Sequence, residues 1–400
     1  MKKLKILLVM IFCLSLCAGP AATVLIPEKD FSDRENRELA GKPGFSVKTF
    51  LKGKYQKKYE EWLNDRFVCR DSWSALAANL QAVMGKKEIN GVYLGTDGYL
   101  LEQYQESEFD ESQVRDNVEF LSVFLNHAAK QYGKEHVSCM MIPSKTEALA
   151  EKLPRYAEVI ETGGVLEALK NSLDEPEGLL YAGDFLEKHK DEYIYYRTDH
   201  HWTTLGAYYA WKGWAEKTGL PERTVDGGQR ETMFNDFYGT TYNKAQIHVK
   251  PDRVELFHCP AEDGVHVEMN DGEREADTLY FPEEAMKGFN RYHVFFGGNT
   301  FKIVVKTEAH TGRTLLLFKD SFANCFVPFL LEDYERIIMV DYRYGKTAAG
   351  SIMGQYPEIT DVLVMFNIEK FMQNTKLKSI ADTAGGRSEM EEFNLDDFLE

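Results

Sequence analysis

The pattern of hydrophobic and polar residues changes along the chain. Between Phe50 and Asp65, aromatic and aliphatic residues recur at helical intervals among Lys and Glu, which predicts an amphipathic helix. Val92–Leu101 instead reads as two short strands around an Asp-Gly turn, and a second helix is predicted from Gln113 to Tyr132. We therefore predict an N-terminal helical region over residues 29–89 and a second region that begins near residue 90.

Beyond residue 136, short apolar runs alternate with helical segments. The runs that predict buried strands are Val137–Ile142, Thr314–Phe318, Arg336–Val340 and Asp361–Phe366. Strands and helices that alternate at this spacing are typical of a mostly parallel sheet with helices on both faces. The sequence thus predicts an α/β domain over residues 90–375.

Two stretches depart from this α/β pattern. Within residues 237–306, period-two segments such as Arg253–Phe257 lie between charged turns, which predicts a β-rich insertion into the α/β domain. Residues 385–400 are acidic and lack a periodic apolar pattern, which is typical of a loose tail.

The first residues have the layout of a targeting segment. Lys2, Lys3 and Lys5 precede an uncharged apolar run from Ile6 to Ile26. A basic start, an apolar stretch and small residues near its end are typical of a secretory signal. We predict that residues 1–28 are a signal peptide or, if uncleaved, a single membrane anchor. The predicted location is extracellular or in the cell envelope.

Charge and cysteine content narrow the classes of partner. The formal net charge of −17 argues against nucleic acid or an anionic membrane surface, because both need a basic face, but leaves a neutral glycan possible as substrate. The cysteines beyond residue 28 are widely and irregularly spaced, which indicates neither a disulfide framework nor a metal-binding knuckle. Cys139 and Cys325 lie in apolar runs and are predicted to be buried free thiols.

The run Asp199–Trp202 carries the strongest chemical signal. Tyr195 and Tyr196 predict an extended approach, in which residues two apart share a face, so Asp199 can orient the imidazole of His201 for acid–base work. One alternative is a structural Asp-His pair at the start of the helix predicted from Thr204. Another is a metal site of Asp199, His200 and His201, although adjacent histidines on a strand point to opposite faces.

A nucleophile is expected at the carboxyl end of a buried strand. Ser321 follows the Thr314–Phe318 strand and precedes an apolar helix, whose first amides could bind an oxyanion. The alternative is that Ser321 is only a helix N-cap. Ser144, after the Val137–Ile142 strand, is a competitor that position alone separates only weakly from Ser321.

Two further residues could contact a substrate. Asn299 follows two glycines that allow close backbone approach, and its amide could donate to an oxyanion, although an ordinary turn is the favoured interpretation. Arg343 follows the strand that ends at Val340, where it could hold a substrate or, as we favour, pair with Asp341.

These motifs together resemble a known family. The segment Arg197–Thr203 resembles the signature of the DHHW protein family, and the likeness runs from about Phe31 to Phe371. Further matching segments are Glu35–Arg37 with Leu39, Asp65–Phe67, Arg70-Asp71, Gly91–Leu101, Phe296–Asn299 and Lys319–Phe322. The family looks like a branch of the SGNH-hydrolase-like proteins and is related to the alginate O-acetylation proteins of bacterial envelopes.

The resemblance implies a fold and a division of roles. The implied fold is an SGNH-hydrolase-like three-layer sandwich, with Asp199 orienting, His201 acting as base and Ser321 attacking, which favours Ser321 over Ser144. The usual Gly-Asp-Ser block is replaced by Lys-Asp-Ser at Ser321, so the Ser321 amide is the main oxyanion donor expected. Asn299, Arg343 and His200 are then secondary candidates for oxyanion or substrate contacts.

The implied function is an exported serine acyltransferase or esterase that acts on O-acetyl groups of cell-envelope or extracellular polysaccharide. It requires no metal and no cofactor, and its acyl donor would come from a membrane partner protein. The alternative is a non-catalytic glycan-binding or scaffolding surface protein with the same fold. Trp202, Tyr208 and Trp211 could then stack on sugars, although core packing is the favoured role of each.

Overall fold

The computed structural model describes residues 37–221, 223–224 and 229–383, with isolated positions before them at residues 5, 6, 9, 10, 12–14, 23, 31 and 32. The predicted acidic tail, and all of the predicted signal or anchor except those isolated positions, lie outside the described residues. The chain divides into two units, residues 1–90 with 242–249 and residues 91–241 with 250–400. Within the described part of the chain, no helix combines the length and the apolar character that a membrane span requires.

The first unit is mainly helical. Trp62 and Ala78 are buried, whereas most of the other helical side chains are partly or fully exposed. Its described elements are β1 (Phe31–Ser32), β2 (Arg37–Glu38), α1 (Val47–Leu51), α2 (Lys54–Arg66), α3 (Arg70–Val83) and β3 (Glu88–Ile89).

The second unit begins with a hairpin and contains a large central sheet. The predicted hairpin is confirmed, because Val92–Leu94 pairs antiparallel with Leu100–Glu102. The strands are β4 (Val92–Leu94), β5 (Leu100–Glu102), β6 (Val137–Ile142), β7 (Leu179–Tyr181), β8 (Arg230–Phe237), β9 (Asp252–Phe257), β10 (His266–Met269), β11 (Arg274–Ala276), β12 (Lys302–Lys306), β13 (Thr314–Lys319), β14 (Arg336–Val340) and β15 (Asp361–Asn367).

The remaining helices, in chain order, lie between these strands or follow β15. They are α4 (Glu111–Tyr132), α5 (Lys145–Ala148), α6 (Gly163–Asn171), α7 (Ala182–Leu186), α8 (Thr204–Thr218), α9 (Thr240–Ala245), α10 (Pro282–Lys287), α11 (Ala349–Gln355), α12 (Ile368–Met372) and α13 (Lys378–Ala381).

The central sheet has eight strands in the order β7-β6-β15-β13-β14-β12-β10-β11. The five strands from β7 to β14 are parallel, and β12, β10 and β11 extend the sheet by antiparallel pairing. Every residue of β13 and β15 is buried, as expected of strands covered on both faces. The predicted mixed α/β fold with a mostly parallel central sheet is confirmed.

Helices pack on both faces of this sheet. Because side chains alternate along a strand, Leu316 and Phe318 face one hydrophobic cluster and Leu315 and Leu317 face the other. The apolar stripe of α4 packs in the first cluster and the aromatic face of α8 in the second. Burial on both faces holds the central strands, and therefore their carboxyl ends, in fixed positions.

The stretch predicted as a β-rich insertion makes two different contributions. β8 and β9 form a separate antiparallel pair with register shifts, and β8 begins at Arg230, ahead of residue 237. β10, β11 and β12 instead join the edge of the central sheet. Between β11 and β12 the chain forms α10 and a 3-10 turn at Arg291–Val294, which contributes to the site described below.

Candidate active site

Ser321 lies directly beyond the carboxyl end of β13, in a short 3-10 turn, Ser321–Cys325. The preceding Asp320 caps this turn, because its Oδ1 accepts from the Phe322 N–H at 2.9 Å. Its Oδ2 accepts from the Asn367 N–H at 2.7 Å, which ties the turn to β15. The cap is therefore Asp320 and not Ser321, and the helix predicted to follow is a 3-10 turn. Among the described residues, the Ser321 N–H has no hydrogen-bond acceptor.

The segment that carries Asp199 and His201 is a tight loop, so the predicted extended conformation was wrong. Tyr195 pairs with Trp202 across the loop, and the Tyr196 N–H donates to the His201 carbonyl at 3.2 Å. Inside the loop, Asp199 Oδ1 accepts from the His201 N–H at 3.0 Å, a local turn that aspartate favours. This turn brings the two side chains together.

The loop places His201 between Asp199 and Ser321. The His201 Nδ1 lies 2.6 Å from Asp199 Oδ1, and its Nε2 lies 2.7 Å from Ser321 Oγ. All three residues are buried. Because an ionised carboxylate only accepts, Nδ1 carries the proton and Nε2 accepts from the serine hydroxyl. This is the geometry of a base that can deprotonate a serine hydroxyl.

The second carboxylate oxygen of Asp199 is also fully used. Its Oδ2 accepts from the Thr240 N–H at 2.9 Å and from the Thr240 hydroxyl at 3.1 Å. Burial alone raises the pKa of Asp199, but the neighbouring His200 and His201 and the hydrogen bonds hold it well below its ordinary value. Thr240 approaches this closely because Gly239 precedes it, where a Cβ atom would lie 2.3 Å from Oδ2.

The two histidines differ in environment but lie in contact. Their ring centroids are 3.8 Å apart, so the prediction that they point to opposite faces was wrong. Burial lowers the pKa of His201, although Asp199 opposes this shift. Burial also lowers the pKa of His200, to about 3. Both imidazoles are therefore neutral at neutral pH, and His201 is able to accept a proton.

Tyr292, in the 3-10 turn between β11 and β12, restrains both the base and the nucleophile. Its ring stacks on His201 with centroids 3.9 Å apart and planes 10° apart. Its hydroxyl donates to the Ser321 carbonyl at 2.9 Å. No feature of the sequence pointed to Tyr292.

Two buried charges hold the backbone of the Asp199 loop. The Lys145 ammonium donates to the carbonyls of Tyr196, Arg197 and Asp199 at 3.0, 3.2 and 2.6 Å. The Asp252 carboxylate accepts from the Arg197 and Thr198 N–H groups at 2.9 and 2.7 Å. Sequence analysis missed both residues, because each lies more than 50 positions from the loop and neither forms part of a local motif.

Ser144 and Arg343 have structural partners. Ser144 caps α5, with its Oγ accepting from the Glu147 N–H at 3.2 Å, and no described histidine is bonded to it. Arg343 forms a bidentate ion pair with Asp341, with nitrogen–oxygen distances of 2.9 and 2.6 Å, as favoured from the sequence.

Asn299 has its side-chain orientation fixed by a chain of hydrogen bonds. The Lys319 ammonium donates to Asn324 Oδ1 at 2.6 Å, and Asn324 Nδ2 donates to Asn299 Oδ1 at 3.0 Å. Because a lysine ammonium only donates, this chain leaves Asn299 Nδ2 as a donor for another partner. No hydrogen bond joins Asn299 to Ser321 or His201 among the described residues.

The same loop was also considered as a metal site. One ligand atom from each of Asp199, His200 and His201 lies within 4.8 Å of the others, which is close enough to hold a metal ion. Both ring nitrogens of His201, however, are hydrogen-bonded to Asp199 and Ser321. A metal bound to His201 would have to break one of these bonds. The arrangement therefore fits proton transfer better than metal binding.

The aromatic and thiol side chains considered from the sequence are largely in the core. Trp202 and Trp211 are 0% and 2% exposed, and Tyr208 is 9% exposed, so all three pack mainly in the core. Cys139 and Cys325 are buried free thiols, as predicted.

Comparisons with known proteins agree with this fold. Residues 102–340 match the family model of the DHHW protein. A DHHW family protein from Eubacterium siraeum is similar in structure, with a TM-score of 0.59 and 24% identity over 73% of this chain and 95% of that chain. No curated protein sequence matches the chain.

Two further solved structures are similar at lower identity. PatB1 of Bacillus cereus, in a structure with a sulfonyl adduct, has a TM-score of 0.57 and 18% identity over 72% of this chain and 99% of that chain. The O-acetyltransferase domain of AlgJ from Pseudomonas putida has 13% identity over 72% of this chain and 95% of that chain. Its TM-score of 0.41 is too low to establish a shared fold.

Proposed function

Because the chain belongs to the DHHW protein family, we propose that it is an exported SGNH-like serine acyltransferase or esterase. Its substrates would be O-acetyl groups of a cell-envelope or extracellular polysaccharide. The observation that carries this proposal is the hydrogen-bonded series from Asp199 through His201 to Ser321. Side chains from two distant parts of the sequence, Asp199 with His201 and Ser321, share one buried arrangement, which fits acyl transfer through a serine.

The reaction would proceed in two halves. Ser321 Oγ attacks the acetyl carbonyl carbon while His201 Nε2 takes the serine proton. The bond from that carbon to the leaving oxygen breaks, His201 returns the proton to the leaving oxygen, and an acetyl ester remains on Ser321. An acceptor hydroxyl or water then attacks this ester, and its proton passes through His201 back to Ser321 Oγ.

The negative charge that develops on the carbonyl oxygen needs hydrogen-bond donors. The Ser321 N–H is a donor at the start of the 3-10 turn, and it is the one we assign to this role. Asn299 Nδ2, left as a donor by the bonds from Lys319 and Asn324, is a second candidate. Arg343 is a weaker candidate, because its guanidinium is held by Asp341 through Nε and Nη2.

The proposed setting follows from the N-terminal sequence and the family resemblance. Residues 1–28 would direct the chain out of the cytoplasm, or anchor it by one helix. Acetyl-CoA is not available outside the cell, so a membrane partner protein would supply the acyl group. A neutral polysaccharide is compatible with the net charge of −17, which disfavours nucleic acid.

The test of this function is the capture of the acyl-enzyme. Protein from residue 29 onward is incubated with 4-nitrophenyl acetate, and nitrophenol release and the intact mass are followed. We expect one added acetyl group, located on Ser321 by peptide mapping. Because PatB1 is described with a sulfonyl adduct, a sulfonyl fluoride should label the same serine.

Two serine variants serve as controls for the nucleophile. Ser321→Ala should lose the adduct and the ester hydrolysis, whereas Ser122→Ala should keep both. Ser122 is a similarly buried serine on α4, and its hydroxyl donates to the Val118 carbonyl. Hydrolysis that persists in Ser321→Ala but disappears in Ser144→Ala would transfer the role to Ser144. Absence of any adduct with several acyl donors would favour the non-catalytic glycan-binding alternative.

A further inference from the structure

His200, the second histidine of the motif, is not used by the reaction above, and its protonation can be read from its partners. Its Nδ1 lies 2.7 Å from Thr240 Oγ1, and that hydroxyl donates to Asp199 Oδ2. A threonine hydroxyl has one proton, so if it donates to Asp199 it must accept from His200. His200 therefore carries its proton on Nδ1, and its Nε2 is an unprotonated acceptor.

The His200 Nε2 has no hydrogen-bond partner within the described part of the chain, and the side chain is accessible to solvent. The His200 side chain is 21% exposed, in contrast to the 5% of His201. It borders a small cavity of about 10 Å³, which is the size of one water molecule or one hydroxyl group. With Nδ1 bonded to Thr240, which does not line the cavity, Nε2 is the ring nitrogen left to bond an occupant.

The cavity lies beside the reacting groups and has a polar lining. Phe322, the residue after the nucleophile, lines it, and the Phe322 ring contacts both histidines, with centroids 5.9 Å from His200 and 4.9 Å from His201. Ser144, Lys145 and Asn367 also line it. A hydroxyl that donates to His200 would therefore be held next to the imidazole that receives the proton of the attacking group.

We propose that His200 recognises the acyl acceptor, with its Nε2 accepting a hydrogen bond from the hydroxyl adjacent to the one that becomes acylated. This proposal rests on the function proposed above and specifies its acceptor as a compound with neighbouring hydroxyls, as in a sugar. An alcohol has one proton to donate, and the attacking hydroxyl gives that proton to His201. The unprotonated Nε2 of His200 therefore needs a second donor group on the acceptor, which in a sugar is the neighbouring hydroxyl.

The covalent step is unchanged by this contact. The attacking oxygen forms a bond to the acetyl carbon on Ser321, and the bond from that carbon to Ser321 Oγ breaks. The proton of the attacking hydroxyl moves to His201 Nε2 and then to Ser321 Oγ. The adjacent hydroxyl keeps its proton throughout and only donates to His200. Water, with two protons on one oxygen, could also contact both histidines, so hydrolysis competes with transfer.

The test measures how the acetyl group on Ser321 partitions between two matched acceptor alcohols. Ethylene glycol has the adjacent hydroxyl, and 2-methoxyethanol replaces it with a methyl ether that cannot donate. Acetyl transfer to each, with hydrolysis as the third product, is quantified in competition. The product ratio is fixed after the acetyl-enzyme forms, so it does not depend on how fast each variant acylates. Because ethylene glycol has two equivalent hydroxyls and 2-methoxyethanol has one, statistics alone give the glycol a twofold excess of product. For wild type we expect a further factor of about five, the effect of one hydrogen bond.

Variants of His200 distinguish recognition of the acceptor by Nε2 from the hydrogen bond that Nδ1 makes to Thr240. In His200→Asn, the amide can replace Nδ1 but not Nε2, and the preference for the glycol should fall to the statistical value. In His200→Gln, the amide reaches the Nε2 position and should retain part of the preference. His189→Asn, at a histidine bonded to Glu192 outside the site, should keep the wild-type ratio.

The outcomes distinguish the two proposals. A wild-type ratio of two, or an undiminished preference in His200→Asn, would overturn the role of His200 while leaving the acetyl-Ser321 intermediate intact. Failure to detect acetyl-Ser321 by mass would overturn the proposed function, and the role of His200 with it.

Discussion

Adding one methyl group next to the buried carboxylate tests whether the position of Asp199 controls the site. In Gly239→Ala, the new Cβ atom would lie 2.3 Å from Asp199 Oδ2 and 2.2 Å from Asp199 Cβ. Ordinary van der Waals contact begins near 3.4 Å, so the carboxylate or the Gly239 backbone must move by about 1 Å. The backbone at Gly239 is not in the left-handed region, so the substitution acts through this contact alone.

The displacement would act on the four hydrogen bonds of the Asp199 carboxylate. Its bonds from the Thr240 N–H and hydroxyl, at 2.9 and 3.1 Å, would lengthen beyond useful range. His201 would shift with the carboxylate and leave its position on Ser321. Misplacement of a catalytic group by about 1 Å costs about 100-fold in rate, and we expect acylation by 4-nitrophenyl acetate to slow by that factor. Stopped-flow measurement of the nitrophenol burst gives the rate constant directly.

The matched control is Gly354→Ala. Gly354 lies in α11, where an added Cβ would meet no atom within 4 Å, and alanine is the better helix former. This variant should acylate at the wild-type rate. If Gly239→Ala is folded by circular dichroism and also acylates at the wild-type rate, then the position of Asp199 does not govern His201, and the assigned role of the carboxylate is wrong.

Two further predictions concern protonation. Burial lowers the pKa of His201 below its ordinary value of 6.5, and only the neutral ring can accept the serine proton, so acylation should fall on acidification only through a midpoint below 6.5. A pH–rate profile with its midpoint at 7 or above would contradict this. Burial raises the pKa of Glu369 from 4.5 to about 7, so the native state binds more protons than the unfolded state and loses stability as pH rises through this interval. Glu369→Gln should therefore gain more in Tm, relative to wild type, at pH 8 than at pH 5, and equal differences at both pH values would refute the burial argument.

The sheet could be predicted because its central strands have a distinctive composition. β6, β13, β14 and β15 are short, continuous apolar runs, and such runs arise when both faces of a strand are covered. Once β13 is recognised, the place of Ser321 at its carboxyl end follows. The antiparallel pairing of β12 with β14 was not predictable, because a short alternating strand does not indicate which edge it will join.

The conformation of the motif loop could not be predicted for a different reason. The aromatic residues before Asp199 favour extended structure, but Lys145 and Asp252 hold the backbone in a turn. These partners come from other elements, so tertiary hydrogen bonds decide the local conformation. The expectation that His200 and His201 diverge failed for the same reason, since it assumed a strand. Thr240 was missed because nothing in its local sequence relates it to a carboxylate 41 residues away.

The central place of β15 has a consequence for the order in which this molecule can be assembled. β6 and β7 precede the histidine loop in the chain, and β12, β13 and β14 surround the nucleophile, but β15 is the strand that joins these two sets. It is also the last of the described strands along the chain. A chain that emerges from its N-terminus therefore holds two separate half-sheets until residue 367 is available. In the folded protein His201 and Ser321 are hydrogen-bonded across these two sets of strands, so we expect incomplete chains that lack β15 to have no assembled Asp199–His201–Ser321 series.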